Sequence, residues 1–566
     1  MQVLRYFRSS LLAIAVTIVV FTACKNEDTP DPVVTVSGIN PASATVGADI
    51  TITGTEFSTT AADNKVTFTG GAVGTVKSAT ATQLVVTVPA GAQNGTITVQ
   101  VGSKPAVTTT TTFTLVVVPK TVQDVTGDIT ASATWTADKI YLLKGFVYVK
   151  DGATLTIQPG TIIKGATKEQ DPLGTAKGGT LIVEPGGKLI AEGTVDRPIV
   201  FTSSKAAGQR NYGDWGGVVL IGKAPHNQLA SRNFEGGIRG SFQKFDIPAD
   251  NSGSLKYVRI EFGGIALTAG SEINGLTLYG VGSGTTIDYV QVSYSGDDAF
   301  EWFGGTANAK HLVSYRNFDD DFDTDFGFIG KVQYGLILRD PAFADQSGSN
   351  AFESDNQAGD GTNAGVVPTP VTAPVFANIS AFGTAGTPST ATGSGSGGNQ
   401  SALHLRRATA ISIFNSVFVG YPEGLRLDYT TTLPGTVGTP PAMQLRNIVL
   451  ANLLPETTAP VFSPIRGGNG VTDDQAKAFF NTPAFGNSVV LAANLSTLGL
   501  NANAFKLDGT AAFTPITGSS LPTGATWTDK GADAFFTKET FKGAFGTMNW
   551  TEKWANFNPQ QTDYDK

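Results

Sequence analysis

The stretch Phe146-Val147-Tyr148-Val149-Lys150-Asp151-Gly152-Ala153-Thr154-Leu155-Thr156-Ile157-Gln158-Pro159-Gly160-Thr161-Ile162-Ile163 decides the fold. Short apolar strands alternate with Gly-led corners, and no helical periodicity separates them. The phrase returns 34 residues later as Leu181-Ile182-Val183-Glu184-Pro185-Gly186-Gly187-Lys188-Leu189-Ile190-Ala191-Glu192-Gly193-Thr194, then runs into Ile199-Val200-Phe201-Thr202-Ser203. Related strand phrases begin at Tyr257, Tyr289, His311 and Tyr334, at spacings of 32, 22 and about 22 residues. One such unit cannot bury its apolar face alone. Stacking many units makes a continuous core of Val, Ile, Leu and Phe, with polar residues alternating outward and Gly or Asn at corners that need φ > 0. The pattern predicts a parallel β-solenoid from about residue 125 to 566.

Composition agrees. Gly 67 and Pro 28 in 566 residues, with only 15% charged residues, exclude a helix-rich enzyme, while 40% apolar residues exclude a disordered chain. The net charge is −8 and no basic block stands out, so nucleic acid is excluded as a partner. The single Cys rules out an intrachain disulfide, and three scattered His leave a His/Cys zinc site poorly supplied.

The first residues read as an address. Arg5 and Arg8 precede an apolar run from Leu11 to Phe21 that is too short to span a bilayer comfortably, which predicts a signal peptide over residues 1–23. Phe21-Thr22-Ala23-Cys24 resembles a bacterial lipobox, which implies acylation of Cys24 and attachment to outer-membrane lipid. Lys25-Asn26-Glu27-Asp28 is similar to the export tag of Bacteroidetes surface lipoproteins, which implies an outward-facing location; a plain solvated tether over residues 24–32 is the competing reading. From residue 33 to 118 the pattern has period two, as in Ile50-Thr51-Ile52-Thr53-Gly54 and Leu84-Val85-Val86-Thr87-Val88-Pro89, and predicts an antiparallel sandwich. Gly38-Ile39-Asn40-Pro41 and Gly47-Ala48-Asp49-Ile50-Thr51-Ile52-Thr53-Gly54-Thr55-Glu56-Phe57 resemble an IPT/TIG immunoglobulin-like domain, which implies a spacer.

Beyond it, Asn211-Tyr212-Gly213-Asp214-Trp215-Gly216-Gly217, Ser295-Gly296-Asp297-Asp298-Ala299-Phe300-Glu301-Trp302-Phe303 and Gly543-Ala544-Phe545-Gly546-Thr547-Met548-Asn549-Trp550 resemble the right-handed parallel β-helix superfamily, and surface lipoproteins of Bacteroidetes in particular. The expected fold class is all-β: an immunoglobulin-like β-sandwich followed by a right-handed, pectate-lyase-like parallel β-helix. That superfamily mixes lyases, hydrolases, adhesins and spacers, so the resemblance implies architecture and leaves activity open. Asp355 to Val375 and Gly383 to Asn399 read as loops leaving the solenoid. Thr472-Asp473-Asp474-Gln475 opens a short helix, and Trp527, Trp550 and Trp554 read as a C-terminal aromatic cap on the last rung, with a sugar-stacking platform as the other reading.

Chemistry is to be sought in the carboxylates. Asp297, Asp298 and Glu301 occupy one turn, and Asp319-Asp320-Asp321-Phe322-Asp323-Thr324-Asp325 follows about one rung later. If that stretch is extended, Asp319, Asp321, Asp323 and Asp325 share one face and repel one another. Hard oxygen ligands at that density suit Ca²⁺. Aspartates capping backbone amides at β-helix corners are the alternative of equal weight. Two enzyme readings compete with binding. Asp298 and Asp321, with Asp297 beside them, are candidates for the acid and base of glycoside hydrolysis. Gly296-Asp297-Asp298 resembles an element of β-helix polygalacturonases, although the Gly-His and Arg-x-Lys words of that family are missing. Asp319 with Lys331 is the corresponding pair for a calcium-assisted lyase. The leading expectation is a lipid-anchored surface protein that binds or displays, engaging glycan or another surface molecule through the β-helix; cleavage of polysaccharide is the runner-up.

Overall fold

The computed structural model describes residues 33–89, 91–268, 271–357, 366–386, 398–453 and 463–565. The signal peptide, Cys24 and the tether fall outside them, as do 358–365 and 387–397 of the two expected loops. Contacts divide the chain at Val118/Pro119 into two units.

In the first unit, seven strands form an antiparallel arrangement in the spatial order Thr35–Asn40, Asp49–Thr55, Gln83–Thr87, Val73–Ala79, Asn64–Thr69, Gln93–Val101, Val107–Thr108. The period-two pattern works as expected: Ile50, Ile52, Leu84, Val86, Ile97 and Val99 point inward and are buried, and Phe113 closes edge-on against Phe68 at 5.2 Å.

The second unit is built from one repeated move. From Thr121–Ile129 to Ser488–Leu491, 26 strands among the described residues form a network in which every pairing is parallel; the short antiparallel pair Ile265–Thr268 and Ser271–Ile273 stands apart from it. A rung is visible at Thr286–Ser293 and Phe300–Phe303: the first strand bends once at Tyr289, and a second bend leads into the next strand. The bend at Tyr289 has φ 55°, and its equivalents Tyr257, His311, Tyr334, Asn378, Asn415 and Asn447 lie between 49° and 66°. A single left-handed residue reverses side-chain alternation and turns the strand through the corner. The phrase starts recognised in the sequence are therefore the corners themselves. Stacked in register, Tyr257, Tyr289, His311 and Tyr334 form a column with ring centroids 4.4, 4.1 and 4.7 Å apart. Further along, the corner changes to asparagine, with Asn447 Nδ2 donating to Asn415 Oδ1 at 3.0 Å.

The interior repeats in the same way. Phe300, Phe322 and Phe352 occupy equivalent positions on successive rungs, all fully buried, with rings 5.5 and 5.2 Å apart. Each such burial contributes about 1.5–3 kcal/mol. The expected helix is present at Asp473–Phe480: Thr472 and Gln475 form its capping box, and Ala476, Phe479 and Phe480 enter the core.

The C-terminal residues depart from the expectation of an end cap. They run back along the side of the column as a strap. Asn415 Nδ2 donates to Thr526 O, Asn378 Nδ2 to Phe541 O, Gln291 Nε2 to Asn556 O and Arg210 Nη1 to Pro559 O, and the strap finishes with Asp565 paired to Lys164 on an early rung. Trp554 lies edge-on against Tyr257 and Tyr289, and Trp550 against His311. The corner column leaves its ring edges outward, and these tryptophans cover that flank, not the last rung.

Candidate functional site

One outward position on successive rungs carries charge. Strand pairing stacks Glu301 on Asp323, Asp323 on Glu353, Glu353 on His404, His404 on Arg426 and Arg426 on Arg466, each step the ~4.8 Å separation of neighbouring strands. The corner just before these strands adds Asp297 and Asp298 on one rung and Asp319 and Asp320 on the next. With Glu235, Glu272 and Asp345 they line a cavity of about 530 Å³ holding ten carboxylates against Arg406 and His404.

The corner carboxylates have a structural task. Asp298 Oδ1 accepts the Asp320 backbone N–H at 2.8 Å, Asp320 accepts that of Asn350, and Asn350 Oδ1 accepts that of Ser401 at 3.0 Å. This is the corner-capping role expected as the alternative to a metal, and it occupies one oxygen of each. Other oxygens are left over. Asp319 Oδ1 and Asp323 Oδ1 are buried without a hydrogen-bond partner. Three carboxylate triads place one oxygen from each member within 4.8 Å of the others: Asp297, Asp298 and Asp319; Asp298, Glu301 and Asp323; Asp320, Asp323 and Glu353. Asp298 and Asp323 each belong to two triads.

Burial, then mutual repulsion, pushes Asp297, Asp298, Glu301, Asp320 and Asp323 well above the usual carboxylate range. The same causes take Asp319 to about 8 and Glu235, where Arg232 partly offsets them, to about 7. Glu353 is the exception. Burial raises it too, but Arg406, His404 and Arg407 outweigh that and hold it at about 2. Arg406 also pairs with Asp355 at 2.9 Å, and His404 Nε2 lies 3.2 Å from Asp428 Oδ2, so both cations of the cavity are already engaged.

The sequence-derived candidates separate. Asp297, Asp298, Glu301, Asp319 and Asp323 converge on the cavity. Asp321 does not: it is wholly buried, accepts from Ser314 Oγ and pairs with Arg339 Nη1 at 2.8 Å. Asp325 also lies off the cavity, accepting its neighbour Phe326 N–H at 2.6 Å. The expected shared face holds for Asp323 and Asp325, which alternate with buried Phe322 and Thr324 on the strand Phe322–Asp325; it is corrected for Asp319 and Asp321, which precede that strand, where the bend breaks the alternation. The same fact removes Asp321 as the catalytic partner of Asp298. Lys331 is engaged elsewhere, by Asp533 at 2.7 Å, and does not line the cavity, so the lyase pair of Asp319 with Lys331 is not assembled. Glu353 was missed, although a readable signal exists: Phe300-Glu301, Phe322-Asp323 and Phe352-Glu353 repeat an aromatic-acid pair at the start of successive strands. The sequence also offers His404-Leu405-Arg406-Arg407 as a basic patch or a solvated rung end, and His404 and Arg406 line the cavity.

Parallel rungs with three stacked strand positions and an outward carboxylate cleft define a parallel β-helix protein. Residues 127–485 match the pectate-lyase like beta helix domain, and the chain belongs to that family. Residues 34–115 match the IPT/TIG domain. Among solved structures, an auxiliary nutrient binding protein from Bacteroides thetaiotaomicron is similar over 15% of this chain and 21% of its own, at 23% identity and a TM-score of 0.14. A structural genomics protein of unknown function from the same organism is similar over 16% of this chain and 25% of its own, at 27% identity and a TM-score of 0.15. The chain thus spans about a fifth to a quarter of the length of these structures. No curated protein matches.

Proposed function

We propose that this is a surface binding protein whose β-helix cleft takes up Ca²⁺ and, through the bound cation, an oxygen-rich ligand such as a glycan chain. Acylation of Cys24 would anchor it in the outer membrane, and the IPT/TIG domain would serve as spacer. The observation that carries the reading is the set of three carboxylate triads, with buried oxygens of Asp319 and Asp323 left without partners. Ca²⁺ takes six to eight oxygen ligands and would neutralise the repulsion that the stacked acids otherwise suffer. Asp298 and Asp323, each shared by two triads, would be the central ligands.

Calorimetry and thermal melting of the EDTA-treated chain test this. Added Ca²⁺ should release heat and raise the melting temperature by several degrees, and Asp298→Asn should abolish most of both. No heat and no shift would remove the reading. Retention on immobilised polysaccharide in Ca²⁺, lost in EDTA, would extend it to the ligand.

Cleavage of polysaccharide is a second reading, favoured by the closeness of Asp298 and Asp323, whose oxygens lie within 4.8 Å across adjacent rungs. Retaining glycosidases hold their two carboxyl groups ~5–5.5 Å apart. New reducing ends after incubation with a polysaccharide panel, absent in Asp323→Asn, would support it; retention without products would exclude it.

A further inference from the structure

A second groove, of about 400 Å³, lies on the flank where the strap crosses the corner column. One wall is Tyr289, Lys310, His311 and Tyr334 of the solenoid; the other is strap, with Glu539, Met548 and Trp550 the side chains that bear on its chemistry. Its volume falls in the ~300–1,000 Å³ range of small-molecule sites. None of its lining residues is shared with the acidic cleft.

We propose that this groove binds a neutral sugar ring. A sugar presents hydroxyls that both donate and accept, together with apolar C–H surface, and the groove answers each. Lys310 Nζ makes one long hydrogen bond, 3.3 Å to Thr537 Oγ1, and lies 5.0 Å from the centre of the Phe535 ring, which leaves it protons to donate. His311 commits Nδ1 to Asp288 Oδ1 at 2.8 Å, which leaves Nε2 without a hydrogen-bond partner among the described residues. Glu539 accepts the Tyr334 hydroxyl on Oε1 at 2.6 Å and keeps Oε2 as an acceptor. Trp550 and Met548 supply the apolar surface, Met548 being 76% exposed at the groove mouth with no packing role to explain it. The charges also select. One ammonium, Lys310, and one carboxylate, Glu539, line the groove, so it carries neither the positive excess a uronate or phosphate would need nor the negative excess of the cleft.

The test uses the whole chain in EDTA, which silences any Ca²⁺-dependent binding in the cleft. Maltotetraose, cellotetraose, xylotetraose and mannotetraose are titrated by calorimetry and tryptophan fluorescence, with tetragalacturonate as the charged control. At least one neutral tetrasaccharide should bind. Lys310→Met and Glu539→Gln should each weaken it roughly tenfold, the effect of losing a hydrogen bond to a charged group. Met548→Glu, on an exposed side chain that cannot unfold the chain, should do the same, while Glu301→Gln in the cleft should leave the affinity unchanged. Failure of all four neutral sugars to bind, stronger binding of tetragalacturonate, or affinity that survives Met548→Glu would each overturn the assignment. Calcium uptake by the cleft would stand or fall separately.

Discussion

The solenoid stacks like upon like, and two of its columns show opposite consequences. At the corner, Tyr257, Tyr289, His311 and Tyr334 lie face to face within 15° of parallel, and every added rung gains a stacked pair. On the outward face, Glu301, Asp323 and Glu353 occupy one register position, and every added rung of that kind brings another like charge into contact. The geometry is shared; the sign of the energy is not. A favourable column explains itself as scaffold. An unfavourable one, repeated over three rungs, is what the proposed Ca²⁺ would relieve. Glu353 is the rung at which the chain itself supplies the charge, through Arg406 and His404.

The largest way to test that contrast is pH. Asp319 is raised to about 8, Glu235 to about 7 and several neighbours well above their ordinary range, all by burial first, with repulsion from neighbouring carboxylates adding to it and Arg232 partly offsetting it at Glu235. Between about pH 4, where these groups titrate in the unfolded chain, and about pH 8, the folded chain holds more protons than the unfolded one. Stability must then fall as pH rises across that window. In EDTA the melting temperature should be markedly lower at pH 8 than at pH 5, and Ca²⁺ should flatten the dependence. A melting temperature that rises from pH 5 to pH 8 in EDTA would mean the column is not under strain. Next in size is Arg339, which neutralises the one acid of the segment that faces inward. Arg339→Met leaves Asp321 buried and unpaired and should cost about 3–5 kcal/mol in denaturant unfolding. A loss under 1 kcal/mol would show that water reaches Asp321.

These two acids also show where the sequence stops being readable. The rung rhythm was legible because the phrases from Tyr257 to Tyr334 open at corner residues, so a solenoid was expected over about residues 125–566; its parallel strands run from Thr121 to Leu491, and the residues beyond them form the strap. The acidic segment was legible as a concentration of charge, and Asp297, Asp298, Glu301, Asp319 and Asp323 do converge. The facing of single residues was not. Period-two counting from Asp319 assumes a strand that begins at Phe322, and Asp321 turns inward to meet Arg339, a partner brought close only by the stacking of rungs. Glu353 was hidden by register arithmetic: the loop carrying Asp345 stretches one rung, so the acid arrives later than the preceding spacing of 22 residues foretells. Trp550 and Trp554 were read as an end cap because they come last in the chain; the strap returns them to the flank of the early rungs, which only tertiary contacts reveal.

The corner column offers the converse test. His311→Ala removes one ring from a stack closed on both sides, and two stacked pairs at ~0.5–1.5 kcal/mol each predict a loss of about 1–3 kcal/mol, independent of Ca²⁺. The smallest effect is the most telling. Asp323→Asn keeps the shape of the side chain and removes the middle charge of the outward column. Like charges directly opposite on neighbouring strands cost about 0.2–1 kcal/mol, so this variant should be more stable than the parent in EDTA at pH 8 by that amount. In Ca²⁺ the order should reverse, because a shared ligand of two triads has been weakened. Two melting curves per protein measure both signs. If Asp323→Asn is the less stable protein in EDTA as well, the column is held by contacts within the chain and is scaffold like its aromatic counterpart.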